Sequence, residues 1–105
     1  MKKYSLLLVD KKTKEAFVID ETELVSFMYL NDKLAVTVLY STDMFNLLSE
    51  FYEDTKDSDE VEVYIDGDKD NSFKRNFKMG KPVIVPNLTP KSVEPPILFI
   101  MNPVK

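Results

Sequence analysis

Three aspartates at alternate positions form the most suggestive chemical pattern in the chain. Asp66, Asp68 and Asp70 lie in YIDGDKDNSF, residues 64–73, beside a glycine and an asparagine. Carboxylates with this spacing occupy the first, third and fifth positions of an EF-hand calcium loop. The twelfth position of such a loop needs a bidentate glutamate and is Phe77 here. The pattern therefore predicts a hairpin tip without a metal, and a weak divalent-cation site at the three aspartates is the alternative.

Histidine and cysteine are both absent from the 105 residues. Their absence excludes thiolate chemistry, cysteine-ligated zinc and nucleophilic catalysis that uses a histidine base. The chain also has no glycine-rich phosphate loop, and no two side chains have the spacing of a nucleophile and its base. We therefore expect a non-enzymatic protein without a cofactor. A carboxylate pair that only the fold brings together, as in glycosidases, is the alternative that the sequence leaves open.

The charged residues are unevenly distributed along the chain. The net charge is −4, but residues 50–70 contain ten acids and two lysines, whereas residues 71–105 contain six basic residues and one acid. A spaced array of carboxylates can imitate nucleic-acid phosphates towards a basic protein. The alternative is a charged surface that only keeps the domain soluble. The candidate partner-binding acids are Glu50, Glu53, Asp54, Asp57, Asp59, Glu60, Asp66, Asp68 and Asp70.

Aromatic and basic residues alternate in FKRNFKMGK, residues 73–81. Aromatic platforms between cations suit single-stranded nucleic acid, and the predicted order of elements also fits an oligonucleotide-binding barrel as an architectural analogy. However, strand periodicity places Phe73, Phe77 and Met79 on one side, which is typical of a core face. We therefore favour a core strand whose lysines lie across from the acids of the preceding strand.

All six prolines lie in the last 24 residues. Proline limits the apolar segments between them to edge strands, first strand positions or extended links. We therefore predict a single domain over residues 1–105 with a proline-rich, extended C-terminal arm at about 81–105. The run ILFIM is apolar on both sides, which indicates either a central strand or a segment that is buried against a partner. The candidate contact residues of the arm are Ile97, Leu98, Phe99, Ile100 and Met101.

Hydrophobic periodicity predicts the elements that position these groups. Residues 3–10 and 15–20 are predicted to form one hairpin, and residues 25–40 a second one that turns at Asn31-Asp32. Asp20 and Glu23 have the spacing of a helix cap and its partner, so a short helix at 21–30 is the alternative to a strand there.

A helix is predicted at about 43–55, capped by Ser41 or Thr42. Its predicted apolar face contains Met44, Leu47, Leu48, Phe51 and Tyr52. The half-buried strand VEVYID, residues 61–66, follows the helix. The predicted fold is α+β, a small β-rich domain in which an antiparallel meander or a partly open barrel of about five to seven strands packs against this helix.

Elimination leaves protein binding as the expected function. Small, acidic proteins without a cofactor are typical of phages and mobile elements, so we expect an inhibitor of a basic, nucleic-acid-binding host factor. The first alternative is an assembly subunit that self-associates through the C-terminal arm, and the second is an oligonucleotide-binding barrel. No segment approaches the ~20 apolar residues that a membrane span needs, so we expect a cytoplasmic protein, in the host cell if a phage encodes it.

Overall fold

The computed structural model describes residues 4–56, 60–66, 74–85 and 95–104. These residues form one helix and eight strands: β1 (Ser5–Asp10), β2 (Ala16–Ile19), β3 (Leu24–Leu30), β4 (Lys33–Val38), α1 (Thr42–Thr55), β5 (Val61–Asp66), β6 (Lys74–Met79), β7 (Val83–Ile84) and β8 (Ile97–Pro103). The predicted class, a small β-rich α+β domain with one helix, is confirmed. No helix in the described ranges is long and apolar enough to span a membrane.

The strands form one antiparallel sheet with the order β2-β1-β5-β6-β8-β4-β3, and β7 pairs with β8. Both predicted hairpins, β1–β2 and β3–β4, are present. The acidic strand β5 also pairs with the basic strand β6, as expected. Residues 97–103 form β8, which lies between β4 on one side and β6 with β7 on the other. The prediction of an extended arm is therefore wrong for this segment. Of the two alternatives for ILFIM, a central strand or a segment buried against a partner, the structure has the central strand.

The connection between β2 and β3 requires the sheet to curl. These strands are consecutive in the chain but lie at opposite edges of the sheet. Seven flat strands would be about 29 Å wide, whereas the chain from Ile19 to Leu24 spans at most about 18 Å. The edges must therefore approach each other, and the rings of Tyr4, just before β1, and Phe27 in β3 are 5.3 Å apart. The sheet remains open, because β2 and β3 do not pair.

A single helical turn makes this connection. The Asp20 carboxylate accepts hydrogen bonds from the N–H and hydroxyl groups of Thr22, at 2.9 and 2.6 Å, and from the Glu23 N–H at 3.1 Å. The Glu23 carboxylate accepts one from the Asp20 N–H at 3.1 Å. This is the reciprocal capping that the spacing predicted, yet the chain continues as a strand. The helix alternative at 21–30 is wrong, because Ser26 to Leu30 pair with β4 instead.

The β3–β4 turn has the geometry that its sequence predicts. Asn31 and Asp32 have φ angles of 55° and 64°, as the two central residues of a type I′ hairpin do. Leu30 and Lys33 are therefore directly paired, and the register continues to Ser26 opposite Thr37. A bulge then shifts the register between Leu24 and Ser26.

The concave face of the sheet and one side of α1 enclose the hydrophobic core. The Ser41 hydroxyl accepts a hydrogen bond from the Met44 N–H at 2.9 Å and so caps the helix as predicted. The predicted apolar stripe is wrong at Leu47, which is exposed and lies about 70° from the centre of the stripe around the helix axis. Tyr52 lies equally far on the other side of the stripe and packs partly against the core. The buried residues of the helix are Met44, Leu48, Phe51 and Thr55.

Candidate protein-binding surface

The outer face of α1 carries the best-placed group of acidic residues. Because the buried residues of the helix recur every three or four positions, the residues between them point away from the sheet. A shallow depression of about 560 Å³ lies on this side. The residues that line it, which we call the α1 acidic face, are Asn46, Ser49, Glu50, Glu53 and Asp54.

Three carboxylates of the α1 acidic face are neighbours along the helix. Glu50 is three residues before Glu53 and four before Asp54, and all three side chains are exposed. The Nζ atom of Lys56 lies 2.8 Å from Oε1 of Glu53. Both members of that pair are largely exposed, so the ion pair only weakly offsets the negative charge of the face.

Of the remaining predicted acids, the structure describes Glu60 and Asp66. Glu60 is half-buried, and its carboxylate lies 3.5 Å from Nζ of Lys11. Asp66 is exposed at the other end of β5, about 17 Å along the strand from Val61. Asp66 thus lies a whole strand length from Val61, where β5 begins, and one acidic surface from residue 50 to residue 70 stays a prediction. Asp57, Asp59, Asp68 and Asp70 lie outside the described residues.

The candidate residues of the C-terminal segment belong mainly to the core. Ile97, Phe99 and Met101 are fully buried, whereas Leu98 is half-buried and Ile100 is 38% exposed on the opposite face. Because β8 is hydrogen-bonded along both edges, its backbone cannot add to the sheet of another chain unless the domain opens. The structure thus leaves only Leu98 and Ile100 accessible as contact residues in this segment.

The basic strand β6 also faces the core. Phe77 and Met79 are buried, which confirms the core assignment for these two residues, and Phe73 lies outside the described part of the chain. The residue directly opposite Glu62 is Asn76 rather than a lysine. A stacking platform for nucleic-acid bases would need exposed rings, and Phe77 supplies none.

The metal prediction concerns a segment that is only partly described. Asp66 is described, whereas Asp68 and Asp70 are not. Within the four described ranges, no group of three or more Asp, Glu, His or Cys residues is arranged to hold a metal ion. The weak cation site at residues 66–70 therefore remains a prediction.

Sequence reasoning missed two apolar features of the surface. Along β3, LVSFMYL contains no charged residue, and Met28 and Leu30 are exposed; this lack of charge was the available signal. On the convex face of the sheet, Leu7 pairs with both Val18 and Tyr64, and this row borders a cavity of about 370 Å³. The second feature depends on which strands are neighbours, so no local pattern indicates it.

No protein-family model matches the chain, and no curated protein or solved structure is significantly similar to it.

Proposed function

We propose that this protein is a non-enzymatic protein-binding module and that the α1 acidic face contacts a basic partner protein. The observation that supports this proposal most strongly is that the carboxylates of the α1 acidic face lie where they destabilise the helix. Glu50 lies three and four residues from two other acids, and like charges at these spacings destabilise a helix by roughly 0.2–0.5 kcal/mol per pair. The last helical turn, where the helix dipole favours cations, contains no basic residue. Stability therefore does not explain these residues, whereas recognition of a cationic surface does.

The scaffold suits such a contact. The carboxylates project from a 14-residue helix whose opposite side packs into the core, so the contact residues are already held in place before a partner binds. Binding through a rigid element loses less conformational entropy than binding through a loop. The non-enzymatic part of the proposal is supported by the lack of histidine and cysteine in the sequence.

The finer proposal names the kind of partner. Carboxylates on a rigid face can occupy the positions that nucleic-acid phosphates take on a basic protein. We therefore propose that the partner is a nucleic-acid-binding protein and that binding inhibits it, as a phage or mobile-element protein would inhibit a host factor. Nucleic acid should then compete with this protein for the partner.

A charge-reversal experiment tests the proposal. The full chain is immobilised, and basic proteins captured from a host-cell extract are compared between wild type, Glu50→Lys/Asp54→Lys, and Glu15→Lys/Glu21→Lys. The two variants have the same net charge, and all four positions are exposed. We expect wild type and the second variant to retain the partner and the helix variant to lose it.

The possible outcomes separate the coarse proposal from the fine one. Capture by the helix variant equal to that by wild type would overturn the role of the α1 acidic face. If added duplex DNA or RNA does not displace a partner that depends on this face, the imitation of phosphates is wrong while protein binding stands.

A further inference from the structure

The two edges of the sheet differ in how well they are protected against pairing with another strand. Natural sheets protect their edges with short strands, charged residues, prolines or bulges. The edge strand β2 has only four residues. The edge strand β3 has seven residues, LVSFMYL, without a charge or a proline, and the exposed fractions of Met28 and Leu30 are 64% and 61%. Within β3 itself the only such protection is the bulge near Leu24, which leaves Ser26 to Leu30 regular. The ring of Tyr4, just before β1, contacts that of Phe27, but no described strand pairs with this edge.

The type I′ turn determines which backbone groups of β3 point to the open edge. A two-residue hairpin loop makes Leu30 and Lys33 a hydrogen-bonded pair, and such pairs alternate along an antiparallel ladder. Met28 and Ser26 therefore also bond to β4, whereas the N–H and C=O groups of Phe27 point away from it. Among the described residues, no strand pairs with this edge of β3.

We propose that a second copy of this chain pairs with β3 in antiparallel orientation, about a two-fold axis at Phe27, and so forms a dimer with one continuous sheet. In this register the two Phe27 residues exchange both of their backbone hydrogen bonds. A two-fold interface uses the same surface on both copies, so every favourable contact away from the axis occurs twice. The surface is distinct from the α1 acidic face, and the inference does not depend on the proposed function.

The side chains of β3 suit this register on both faces of the sheet. On the inner face, Phe99, Val36 and Phe27 form one row across β8, β4 and β3. The row would continue with Phe27 of the second copy, whose ring would join the edge-to-face pair that Phe27 already forms with Tyr4. On the outer face, Met28 would lie opposite Ser26 of the other copy. The smaller serine leaves space for the methionine, which is the most exposed large apolar residue of β3.

The charges that flank β3 favour an antiparallel pair of identical strands. Glu21 and Glu23 precede the strand, whereas Lys33 follows it next to Asp32. An antiparallel arrangement brings Lys33 of each copy beside the Glu21–Glu23 turn of the other. A parallel arrangement would bring the acidic turns of the two copies together. The strand itself carries no charge that would repel its copy.

Sedimentation at increasing concentration of the full chain tests the dimer. We expect a monomer–dimer equilibrium, which Met28→Lys weakens by about tenfold or more in Kd because it places a cation at the interface of each copy. The matched control is Val18→Lys, which puts the same side chain on an exposed apolar position of the other edge strand. We expect this control to dimerise like wild type.

Disulfide trapping tests the register itself, in a chain that contains no cysteine of its own. Non-hydrogen-bonded partners across antiparallel strands have Cα atoms about 4.5 Å apart, which is within disulfide range. A mixture of Ser26→Cys and Met28→Cys proteins should therefore form a mixed disulfide dimer faster than either variant alone. Val18→Cys mixed with Met28→Cys is the control and should not do so.

Four outcomes would overturn the inference. The first is a wild-type monomer at the highest soluble concentration, and the second is a dimer that Met28→Lys does not weaken. The third is a mixture of Ser26→Cys and Met28→Cys that forms no preferred disulfide. The fourth is growth into open-ended assemblies, because a two-fold interface closes at two copies.

Discussion

At the residue scale, Gly80 is a position where one added methyl group would clash with the backbone of a neighbouring strand, β8. A Cβ atom at Gly80 would lie 2.6 Å from the carbonyl oxygen of Ile100. The same oxygen accepts a hydrogen bond from the Gly80 N–H at 2.7 Å, at the junction of β6 and β7 with β8. Glycine thus permits the close approach of the Gly80 backbone to the backbone of β8.

We therefore expect Gly80→Ala to lower the free energy of unfolding by about 1–3 kcal/mol, because the backbone must move to accept the methyl group. Urea denaturation measures this difference. The control is Lys81→Ala at the next, exposed position, which should stay within about 0.5 kcal/mol of wild type. Equal effects of the two substitutions would contradict the close approach.

Asp20 provides a pH-dependent prediction at the same scale. The hydrogen bond from the Thr22 hydroxyl, together with the N–H groups of Thr22 and Glu23, holds the pKa of Asp20 below its ordinary value of 3.8, although desolvation opposes this. A lowered pKa in the folded state means that the Asp20 carboxylate stabilises the protein when the pH is above the ordinary aspartate pKa. This contribution is lost as the pH falls through the lowered pKa.

We expect an NMR titration of the Asp20 carboxyl group to have its midpoint below that of an ordinary aspartate. Thr22→Val removes the hydroxyl but keeps the backbone donors, so the midpoint should rise towards the ordinary value. A midpoint that the Thr22→Val substitution does not change would show that the hydroxyl is not the main cause.

At the element scale, α1 combines a good N-terminal cap with an unfavourable C-terminal charge. Ser41 caps the first turn. Asp43 also lies in this turn, where the helix dipole favours a negative charge. Asp54, in contrast, lies in the last turn, where a negative charge is unfavourable. The charge distribution along the helix therefore predicts opposite effects of the same substitution at its two ends.

We expect Asp54→Lys to raise the free energy of unfolding by about 0.3–1 kcal/mol, through the helix dipole and a new i,i+4 pair with Glu50. Asp43→Lys is the matched control in the first turn and should lower it by a similar amount. Urea denaturation at low ionic strength compares the two variants. Effects of the same sign would contradict the role of the dipole.

The elements themselves were largely predictable. The capped helix, the type I′ turn and the alternation of β5 all depend on residues a few positions apart, so their patterns are visible in the sequence. Glu23 shows the limit of such patterns. Its capping contact with Asp20 exists as predicted, but it closes one turn between two strands and does not begin a helix. Whether the capped turn continues depends on pairing with β4, which lies outside the local pattern.

At the scale of the whole molecule, β8 holds the sheet together. It pairs with β4, β6 and β7, and it contributes Ile97, Phe99 and Met101 to the core. We expect removal of residues 95–105 to abolish folding, measured as a loss of far-ultraviolet circular dichroism and of dispersed amide NMR signals.

Removal of Lys105 alone is the control for this truncation and should leave the fold intact. A shortened chain that keeps its dispersed spectrum would support the predicted extended arm and would contradict a central position of β8 in the sheet.

The candidate site was predictable only in part. Exposure of Glu50, Glu53 and Asp54 follows from helical periodicity, which a reader of the sequence can apply directly. The place of Asp66 opposite Ser5 of β1 does not, because it arises from strand pairing. The unprotected edge at β3 has the same origin: LVSFMYL is visible as a charge-free strand, but its position at the edge is a property of the sheet.

The sequence by itself determined the capped helix, the Asn31-Asp32 turn and the alternating strands such as β5, and it determined the lack of histidine and cysteine. Only the tertiary structure decided that β8 is central, that β2 and β3 are the edges, and that Asp66 lies at the far end of a strand paired with β1. The physical reason is the separation along the chain between the residues that interact. Caps, turns and alternation depend on neighbours within a few residues, whereas strand order depends on the combined burial and backbone pairing of segments far apart in the chain.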